Sequence, residues 1–223
     1  MINEKPSYCQ TVEEEQNRLF SNYLKRAFDI VFSLSVMFFF SPLYLLIACL
    51  IRCTSKGKAV YYQNRIGKGG VPFRCYKFRT MFQNADTLLQ EILDKDSVKK
   101  KEWETSHKLK DDPRITRIGV FLRKSSLDEF PQFWNVLKGD LSVVGPRPVV
   151  QDEITRHFGS KAKEIFSIRP GITGLWQISG RSDTTYSTRI YLDEYYVRNR
   201  TFFMDIKIIA LTISSIITKK GAY

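Results

Sequence analysis

The adjacent acids Asp128 and Glu129 are the residues of this sequence whose type and spacing are best suited to chemistry. The residues that follow form one apolar stripe at helical spacing: Phe130, Phe133, Trp134 and Leu137. A helix that starts at the acids would direct its unpaired N–H groups and the positive end of its dipole at both carboxylates. This environment would keep Asp128 ionised, as a carboxylate nucleophile requires.

The predicted helix has two alternative starts and an expected end at Gly139. In one, Ser126 is the N-cap and Glu129 completes a capping box. In the other, Asp128 is the N-cap and Pro131 lies in the first turn. Acids at a helix start commonly do no more than stabilise the helix, so this stretch alone favours capping over catalysis.

Lys77 and Arg79 lie at the end of the predicted strand Val71–Phe78, and alternation places both side chains on one face. Two neighbouring cations suit a diphosphate, although a solvated strand face explains them equally well. The strand pairs in a predicted hairpin with Ala59–Gln63. The glycine-rich loop Ile66–Gly70 between them lacks the P-loop spacing and the dinucleotide fingerprint, and we interpret it as a turn.

Arg147 stands between Pro146 and Pro148, and both prolines restrict the backbone around it. A guanidinium held in this way suits bidentate contact with a phosphate. A rigid turn with a solvated arginine is the alternative interpretation.

The composition implies an anionic partner, since the formal net charge is +12 over 223 residues. Nucleic acid, phospholipid or a phosphorylated substrate would each complement that positive charge. The four cysteines form no C-x-x-C pair and are predicted to be reduced, in a cytosol-facing protein. The sequence shows no metal-binding motif, serine triad or cysteine nucleophile, and His107 and His157 are isolated.

Residues Ile30 to Ile51 carry no charge over 22 positions, and as a helix they would be about 33 Å long, enough to cross a bilayer. Pro42 follows Ser41 in the middle of this run, where it bends a helix. Basic residues flank both ends, which favours placing both ends in the cytoplasm. A re-entrant helix broken at Ser41-Pro42 satisfies both observations, and a kinked spanning helix is the alternative.

The remaining segments are predicted to mix helices with short strands. One charged, surface-lying helix is expected from Asn84 to about Leu109, and a short strand over Leu141–Gly145. A loop and strand over Arg169–Gln177 precede a helix over Tyr186–Asn199. The last helix, Phe202–Ile217, is short for a membrane span and is predicted to lie on the bilayer surface or in the core.

The chain resembles the bacterial sugar transferases, the monotopic phosphoglycosyl transferases that start polysaccharide and glycoconjugate assembly. The resemblance covers about residues 25–219 and rests on several motifs in order along the chain. These motifs are Lys25–Ile30, Ser41-Pro42, Lys77–Met81, Asp112–Gly119, Leu122–Gln132, Gly145–Pro148, Arg169–Gly174 and Leu192–Asn199.

The resemblance implies transfer of a sugar-1-phosphate from a UDP-sugar to polyprenyl phosphate, usually undecaprenyl phosphate, with release of UMP. It implies that Asp128 is a nucleophile that forms a phosphosugar–enzyme intermediate, and that Glu129 engages Mg²⁺, with Asp128 as the second expected metal ligand. The other implied active-site positions are Lys77, Arg79, Arg123, Arg147 and Asp193. The run Leu175–Thr185 is closer to members that transfer hexose-1-phosphate, which favours galactose or glucose.

The expected fold is a mixed α/β, mainly helical, membrane-associated catalytic domain with a re-entrant N-terminal helix and interfacial amphipathic helices. Its expected divisions are a polar extension (1–24), the re-entrant helix (25–56), the catalytic domain with its C-terminal amphipathic helix (57–219) and a tail (220–223). The resemblance places the domain on the cytoplasmic face of the bacterial inner membrane. It also implies the catalytic portion alone, without the further segments of longer relatives.

The alternative to a transferase is a membrane-anchored basic adaptor that binds nucleic acid or anionic lipid. Such an adaptor would explain the net charge of +12 and the apolar run. It would not explain the ordered motifs around Lys77, Asp128 and Arg147. The transferase is expected to bind no nucleic acid, so salt-sensitive nucleic-acid binding distinguishes the two.

Overall fold

The computed structural model describes residues 8–106, 109–180 and 184–218, in which helices predominate and short strands form two small sheets. This confirms the mixed α/β, mainly helical class. The helices are α1 (Tyr8–Phe39), α2 (Ser41–Thr54), α3 (Ala85–Lys95), α4 (Ser97–Ser106), α5 (Arg117–Lys124), α6 (Gln132–Lys138), α7 (Gln151–Glu153), α8 (Lys161–Ile165), α9 (Leu175–Ile178), α10 (Tyr186–Asn199) and α11 (Phe202–Thr218). The strands are β1 (Val60–Ile66), β2 (Pro72–Phe78), β3 (Ser142–Val144) and β4 (Gly171–Thr173). His107, part of the Leu175–Thr185 run and the tail 220–223 lie outside the described residues.

Helices α1 and α2 form a bent pair, with 63° between Asn22–Phe39 and Ser41–Thr54. The break falls at Phe40, directly before the predicted Ser41-Pro42 position, and Pro42 lies in the first turn of α2, where its missing N–H costs no hydrogen bond. Within the described residues, no single helix is long and apolar enough to cross a membrane, whereas this pair together has that length and composition. The polar N-terminal segment joins α1 as continuous helix from Tyr8.

Strands β1 and β2 pair antiparallel as the predicted hairpin, with Tyr61 opposite Lys77. Gly69 and Gly70 in the connecting turn have φ values of 70° and 81°, which glycine adopts without steric cost. Phe78 on β2 is fully buried, and its ring lies 4.7 Å from that of Tyr44 on α2. The hairpin therefore joins the bent helix pair to the rest of the domain.

The prediction of one charged helix from Asn84 to Leu109 is wrong, because this segment folds as α3 and α4 with a break at Asp96. The Oδ1 atom of Asp96 accepts hydrogen bonds from the backbone N–H groups of Val98 and Lys99, both at 3.0 Å. An aspartate that binds the N–H groups two and three residues ahead starts a new helix.

Strands β3 and β4 form a short parallel pair that fixes the loop carrying Arg147. The N–H of Gly145 donates to the carbonyl of Thr173 at 2.9 Å, and that of Gly171 donates to Pro146 at 2.8 Å. A Cβ atom on Gly171 would lie 2.0 Å from the backbone nitrogen of Gly145, so this approach requires glycine. The predicted strand after Arg169 is only three residues long.

The main core lies where α6, β3, α10 and α11 meet, and its buried residues are Val136, Leu141, Val143, Val144, Tyr196 and Ile208. Asp205 on α11 ties this core to α1, because it accepts hydrogen bonds from Lys25 Nζ and the Tyr196 hydroxyl, both at 2.7 Å. The opposite face of α11 exposes apolar side chains, with Phe203 84% exposed. Helix α11 thus combines the two predicted alternatives, a core face and an exposed apolar face.

Candidate active site

The acidic pair lies in a 3₁₀ turn, Leu127–Glu129, that precedes α6. Both predicted starts of this helix are wrong, because α6 begins at Gln132 with Pro131 in the N-cap position. Ser126 has a φ of 56°, outside the extended conformation of an N-cap, and its side chain makes no capping hydrogen bond. The acids therefore project from a separate turn, whereas the end of α6 at Gly139 is as predicted.

Lys77 on β2 meets both acids. Its Nζ donates a hydrogen bond to Oε1 of Glu129 at 2.7 Å and lies 3.7 Å from Oδ2 of Asp128. Burial acts to lower the pKa of Lys77, but the two carboxylates outweigh it and raise this pKa overall. Lys77 is therefore a firmly charged ammonium held between the two acids.

Burial and the charged side chains around Asp128 together shift its pKa. Burial is the largest effect and raises the pKa of Asp128, the charge of Glu129 adds to the rise, and Lys77 and Arg123 oppose it. Arg123, at the end of α5, is oriented by a 2.9 Å hydrogen bond from its Nε to Oγ1 of Thr80. The net pKa is raised, which differs from the expectation that the helix start keeps Asp128 ionised.

A small pocket opens beside the acidic pair, and it combines groups from both sheets. Its lining residues are Arg65, Cys75, Lys77, Glu129, Gln132, Arg147, Pro148 and Ile172. Burial raises the pKa of the Cys75 thiol to about 11, so this cysteine is uncharged near neutral pH. The pocket thus combines one carboxylate, that of Glu129, with the cationic groups of Arg65, Lys77 and Arg147.

A cluster that the sequence did not reveal adjoins this pocket through two of its lining residues, Arg65 and Arg147. Glu153 accepts from Nη1 of Arg65 at 3.3 Å and from Nη1 of Arg189 at 3.0 Å. The guanidinium of Arg189 stacks 4.7 Å from the ring centre of Trp176, and that of Arg147 lies 5.6 Å from the same ring. The one available signal was the helical i, i+4 spacing of Arg189 and Asp193.

Four predicted site residues do not line the pocket: Asp128, Arg123, Arg79 and Asp193. Arg79 donates through Nη2 to the carbonyl and the hydroxyl of Ser55, at 2.8 and 2.9 Å, and so holds the end of α2. Asp193 is 1% exposed, and its Oδ2 lies 3.9 Å from Nε of Arg189. Burial raises the pKa of Asp193 to about 7, although Arg189 and Arg147 oppose the rise.

The apolar stripe of α6 faces the bent helix pair instead of forming the main core. The ring of Phe130 lies 5.6 Å from that of Phe40, and the ring of Phe133 lies 6.3 Å from that of Phe32. Trp134 is 51% exposed. The buried face of α6 carries Gln132, Asn135 and Val136. The break in the apolar helix and the acidic turn are therefore neighbours in space.

A family model for bacterial sugar transferases matches residues 20–219. The chain belongs to the bacterial sugar transferase family. This confirms the family and the enzyme class, a transferase, that the motifs predicted.

Three relatives show how closely this sugar transferase matches known members. It is 46% identical over 203 residues to an undecaprenyl-phosphate galactose phosphotransferase of Salmonella typhimurium, covering 91% of this chain and 42% of the relative. It is 45% identical to a UDP-galactose-lipid carrier transferase of Erwinia amylovora, with the same coverage of 91% and 42%. It is 44% identical to the exopolysaccharide production protein ExoY of Sinorhizobium fredii, covering 89% and 88%. The chain thus spans less than half the length of the first two relatives.

The sugar transferase has a donor set that fits a magnesium ion shared with a substrate. Within the described residues, no group of three or more His, Cys, Asp or Glu side chains is placed to hold a metal. Asp128 and Glu129 supply two neighbouring carboxylates. Because Mg²⁺ is commonly held by one or two carboxylates together with water and substrate phosphates, this pair fits such an ion, and an all-protein site is absent from the described part.

Proposed function

We propose that this sugar transferase moves a sugar-1-phosphate from a UDP-hexose to polyprenyl phosphate and releases UMP through a covalent aspartyl-phosphosugar intermediate. The observation that supports this is the position of Asp128 beside Lys77 and Glu129, two residues that line one pocket together with Arg147. The reaction would be the first membrane step of polysaccharide or glycoconjugate synthesis. The relatives named for undecaprenyl phosphate, galactose and exopolysaccharide point in the same direction.

In the first half-reaction, an Asp128 carboxylate oxygen attacks the phosphorus that bears the sugar. The bond from this phosphorus to the bridging oxygen breaks, and UMP leaves with that oxygen. In the second, a phosphate oxygen of the polyprenyl phosphate attacks the same phosphorus. The aspartyl–phosphorus bond then breaks, which gives a polyprenyl diphosphate sugar and restores the Asp128 carboxylate.

The charges around Asp128 suit this chemistry. A phosphoryl transfer is assisted mainly by positioning and by cations placed where negative charge collects. Lys77 and Arg147 both line the pocket and supply positive charge there. Arg123 opposes the burial that raises the pKa of Asp128 and so favours the ionised nucleophile.

Glu129, with Asp128, would hold the Mg²⁺ that the family resemblance implies. When bound, this ion supplies further neutralisation of the diphosphate charge. Lys77 is a second cationic partner of the carboxylates, with its Nζ at 2.7 Å from Oε1 of Glu129. Lys77 thereby keeps the two acids together and oriented toward the pocket.

The acceptor's lipid chain requires an active site at a membrane surface. We propose that the bent pair of α1 and α2 enters the membrane as a re-entrant helix and so holds the active site there. Phe38 and Phe39, at the bend, are each 74% exposed, which suits hydrocarbon better than water. The ring contact of Phe40 with Phe130 connects the bend to the acidic turn. We place the catalytic domain on the cytoplasmic face of the inner membrane, where a UDP-sugar is supplied.

The test is UMP release from UDP-galactose or UDP-glucose with undecaprenyl phosphate and Mg²⁺, in detergent micelles. Asp128→Asn should abolish release and the phosphosugar adduct on the protein, read by mass spectrometry. Asp152→Asn, an exposed acid on α7, is the matched control and should retain activity. Full release by Asp128→Asn would refute the nucleophile, and salt-sensitive nucleic-acid binding without any turnover would favour the basic adaptor.

A further inference from the structure

Arg147 is the cation of the pocket that is open to an anionic ligand. It lines the pocket, and no carboxylate of the described residues lies within ion-pair distance of its guanidinium. Lys77, by contrast, is already paired with Glu129. The backbone of Arg147 is held by Pro146 and Pro148 and by the hydrogen bonds of Gly145 and Gly171. A phosphate that enters the pocket therefore meets Arg147 as an available partner.

The side chain of Arg147 is positioned by a ring that it shares with a second arginine. Its guanidinium lies 5.6 Å from the ring centre of Trp176, and that of Arg189 lies 4.7 Å from the same centre. Two guanidinium groups on one indole repel each other unless a negative charge compensates them. Burial is the larger cause that lowers the pKa of Arg65 and of Arg189, and the charge of Arg147 lowers both further. This second effect is the expected result of repulsion between the guanidinium groups.

Glu153 is the carboxylate that pairs with two cations of this group, whereas Asp193 contacts Arg189 alone, at 3.9 Å. Glu153 binds Arg65 at 3.3 Å through Oε1 and Arg189 at 3.0 Å through Oε2. Its Oε2 also accepts from the Tyr186 hydroxyl at 3.3 Å. Its charge raises the pKa of both arginines against the effect of burial. One side chain thus holds β1 and α10 together behind the pocket wall.

We infer that Glu153 is a positioning residue that, through Arg189 and the Trp176 ring, sets Arg147 to bind the phosphate of the nucleoside monophosphate half of the donor. This rests on the proposed function, since it assigns a part of the same pocket. Glu153 itself does not line the pocket and acts through the arginines. The acidic pair would then receive the sugar-bearing phosphate, and Arg147 the phosphate that leaves as UMP.

The experiment measures the binding of UMP by calorimetry to the full chain in detergent micelles, which requires no turnover. Glu153→Gln should weaken UMP binding about tenfold, the loss that corresponds to one displaced charge-assisted contact. Arg147→Ala should weaken it by at least as much. The double variant should bind UMP no more weakly than Arg147→Ala alone, because Glu153 acts through Arg147.

Glu164→Gln is the matched control. Glu164 also binds an arginine, Arg198 at 2.6 Å, but on the far side of α10 and outside the pocket, so UMP binding should be unchanged. Glu153→Asp keeps the charge but is one methylene shorter, so it should also lose affinity if the reach to both arginines matters. Thermal unfolding of each variant checks that the fold is intact.

Unchanged UMP affinity in both Glu153 variants would overturn the inference. A further loss on adding Glu153→Gln to Arg147→Ala would overturn it as well, because the effect would then bypass Arg147. If the Glu153 variants unfold, Arg189→Lys takes their place, because it keeps the charge and loses the planar stacking group. It should likewise weaken UMP binding. Failure of the unchanged chain to turn over any UDP-sugar would instead remove the proposed function.

Discussion

The Nζ atom of Lys77 lies 2.7 Å from the Oε1 atom of Glu129, although 52 residues separate them in sequence. The contact joins the end of the hairpin to the acidic turn. Because the same Nζ is 3.7 Å from Oδ2 of Asp128, one cation serves two adjacent carboxylates. The charge of Lys77 lowers the pKa of Asp128 against the larger effect of burial, so the ionisation of Asp128 depends on Lys77.

Removing this cation should impair the enzyme more than an ordinary surface change. Lys77→Met leaves the two acids without their shared counter-charge, so the pKa of Asp128 rises further. We expect kcat for UMP release to fall by about 10²- to 10³-fold, as for other groups that stabilise transition-state charge. Lys68→Met, in the exposed hairpin turn, is the control and should be unaffected. Comparable rates in the two variants would contradict a role for Lys77.

The pH dependence of the reaction should report the raised pKa of Asp128. The proposed nucleophile must be ionised to react, and burial together with the charge of Glu129 raises the pKa of Asp128. As the pH is lowered, kcat/KM should therefore begin to fall at a higher pH than it would for an exposed aspartate. Arg123 opposes the rise, and Arg123→Gln should therefore move the acid limb to still higher pH. The measurement is kcat/KM for the UDP-sugar across pH, with Arg117→Gln, exposed on α5, as the control. If the fall of kcat/KM at low pH occurs at the same pH in Arg123→Gln as in the unchanged chain, Arg123 does not influence the pKa of Asp128.

Asp193 should make the stability of the domain fall as pH rises. Its pKa is raised to about 7 by burial, so the folded state keeps a proton that the unfolded state has lost above about pH 4. The contribution is present below the unfolded pKa and is lost as pH rises through about 7, by an amount on the order of 4 kcal/mol.

Asp193→Asn should remove most of this dependence, because asparagine does not titrate. The free energy of unfolding, from denaturant titrations at pH 5 and pH 8, should differ less between the two pH values in the variant than in the unchanged chain. Asp152→Asn, an exposed acid, should preserve the original difference. Parallel pH profiles for Asp193→Asn and the unchanged chain would show that Asp193 does not titrate in this range.

The proposed re-entrant topology predicts that both ends of the bent helix pair lie on one side of the membrane. In a variant with the other cysteines replaced by alanine, native Cys53 and a cysteine introduced as Tyr23→Cys should both react with an impermeant reagent from the same side. A cysteine introduced at the bend as Phe39→Cys should be protected, because hydrocarbon excludes the reagent. Labelling of the two ends from opposite sides would establish a kinked spanning helix.

The sequence patterns correctly predicted the elements that depend on residues close together along the chain. The hairpin around the glycine turn, the exact span of α10 and the end of α6 at Gly139 agree with the sequence patterns. The break before Ser41-Pro42 also occurs where proline disfavours a continuous helix. Each depends on residues a few positions apart, whose backbone preferences act in any tertiary context.

The errors arise where a side chain had a choice of partners. Asp96 breaks the charged segment by binding N–H groups ahead of it, and Ser126 adopts positive φ so that the acids form their own turn. Arg79 was expected beside Lys77 but binds the end of α2 instead. Periodicity does not distinguish these outcomes, because it records which residues are polar and not what they contact.

The sequence by itself determined the family and supplied the candidate reacting groups: an acidic pair and basic residues in ordered motifs, beside an apolar run with a proline break. Only the tertiary structure decided which cation meets which acid. Lys77 binds Glu129 across 52 residues, and Glu153 binds Arg65 and Arg189 across 88 and 36. The physical reason is that such ion pairs form only after packing of the two sheets and α10 has closed these separations, which no local preference encodes.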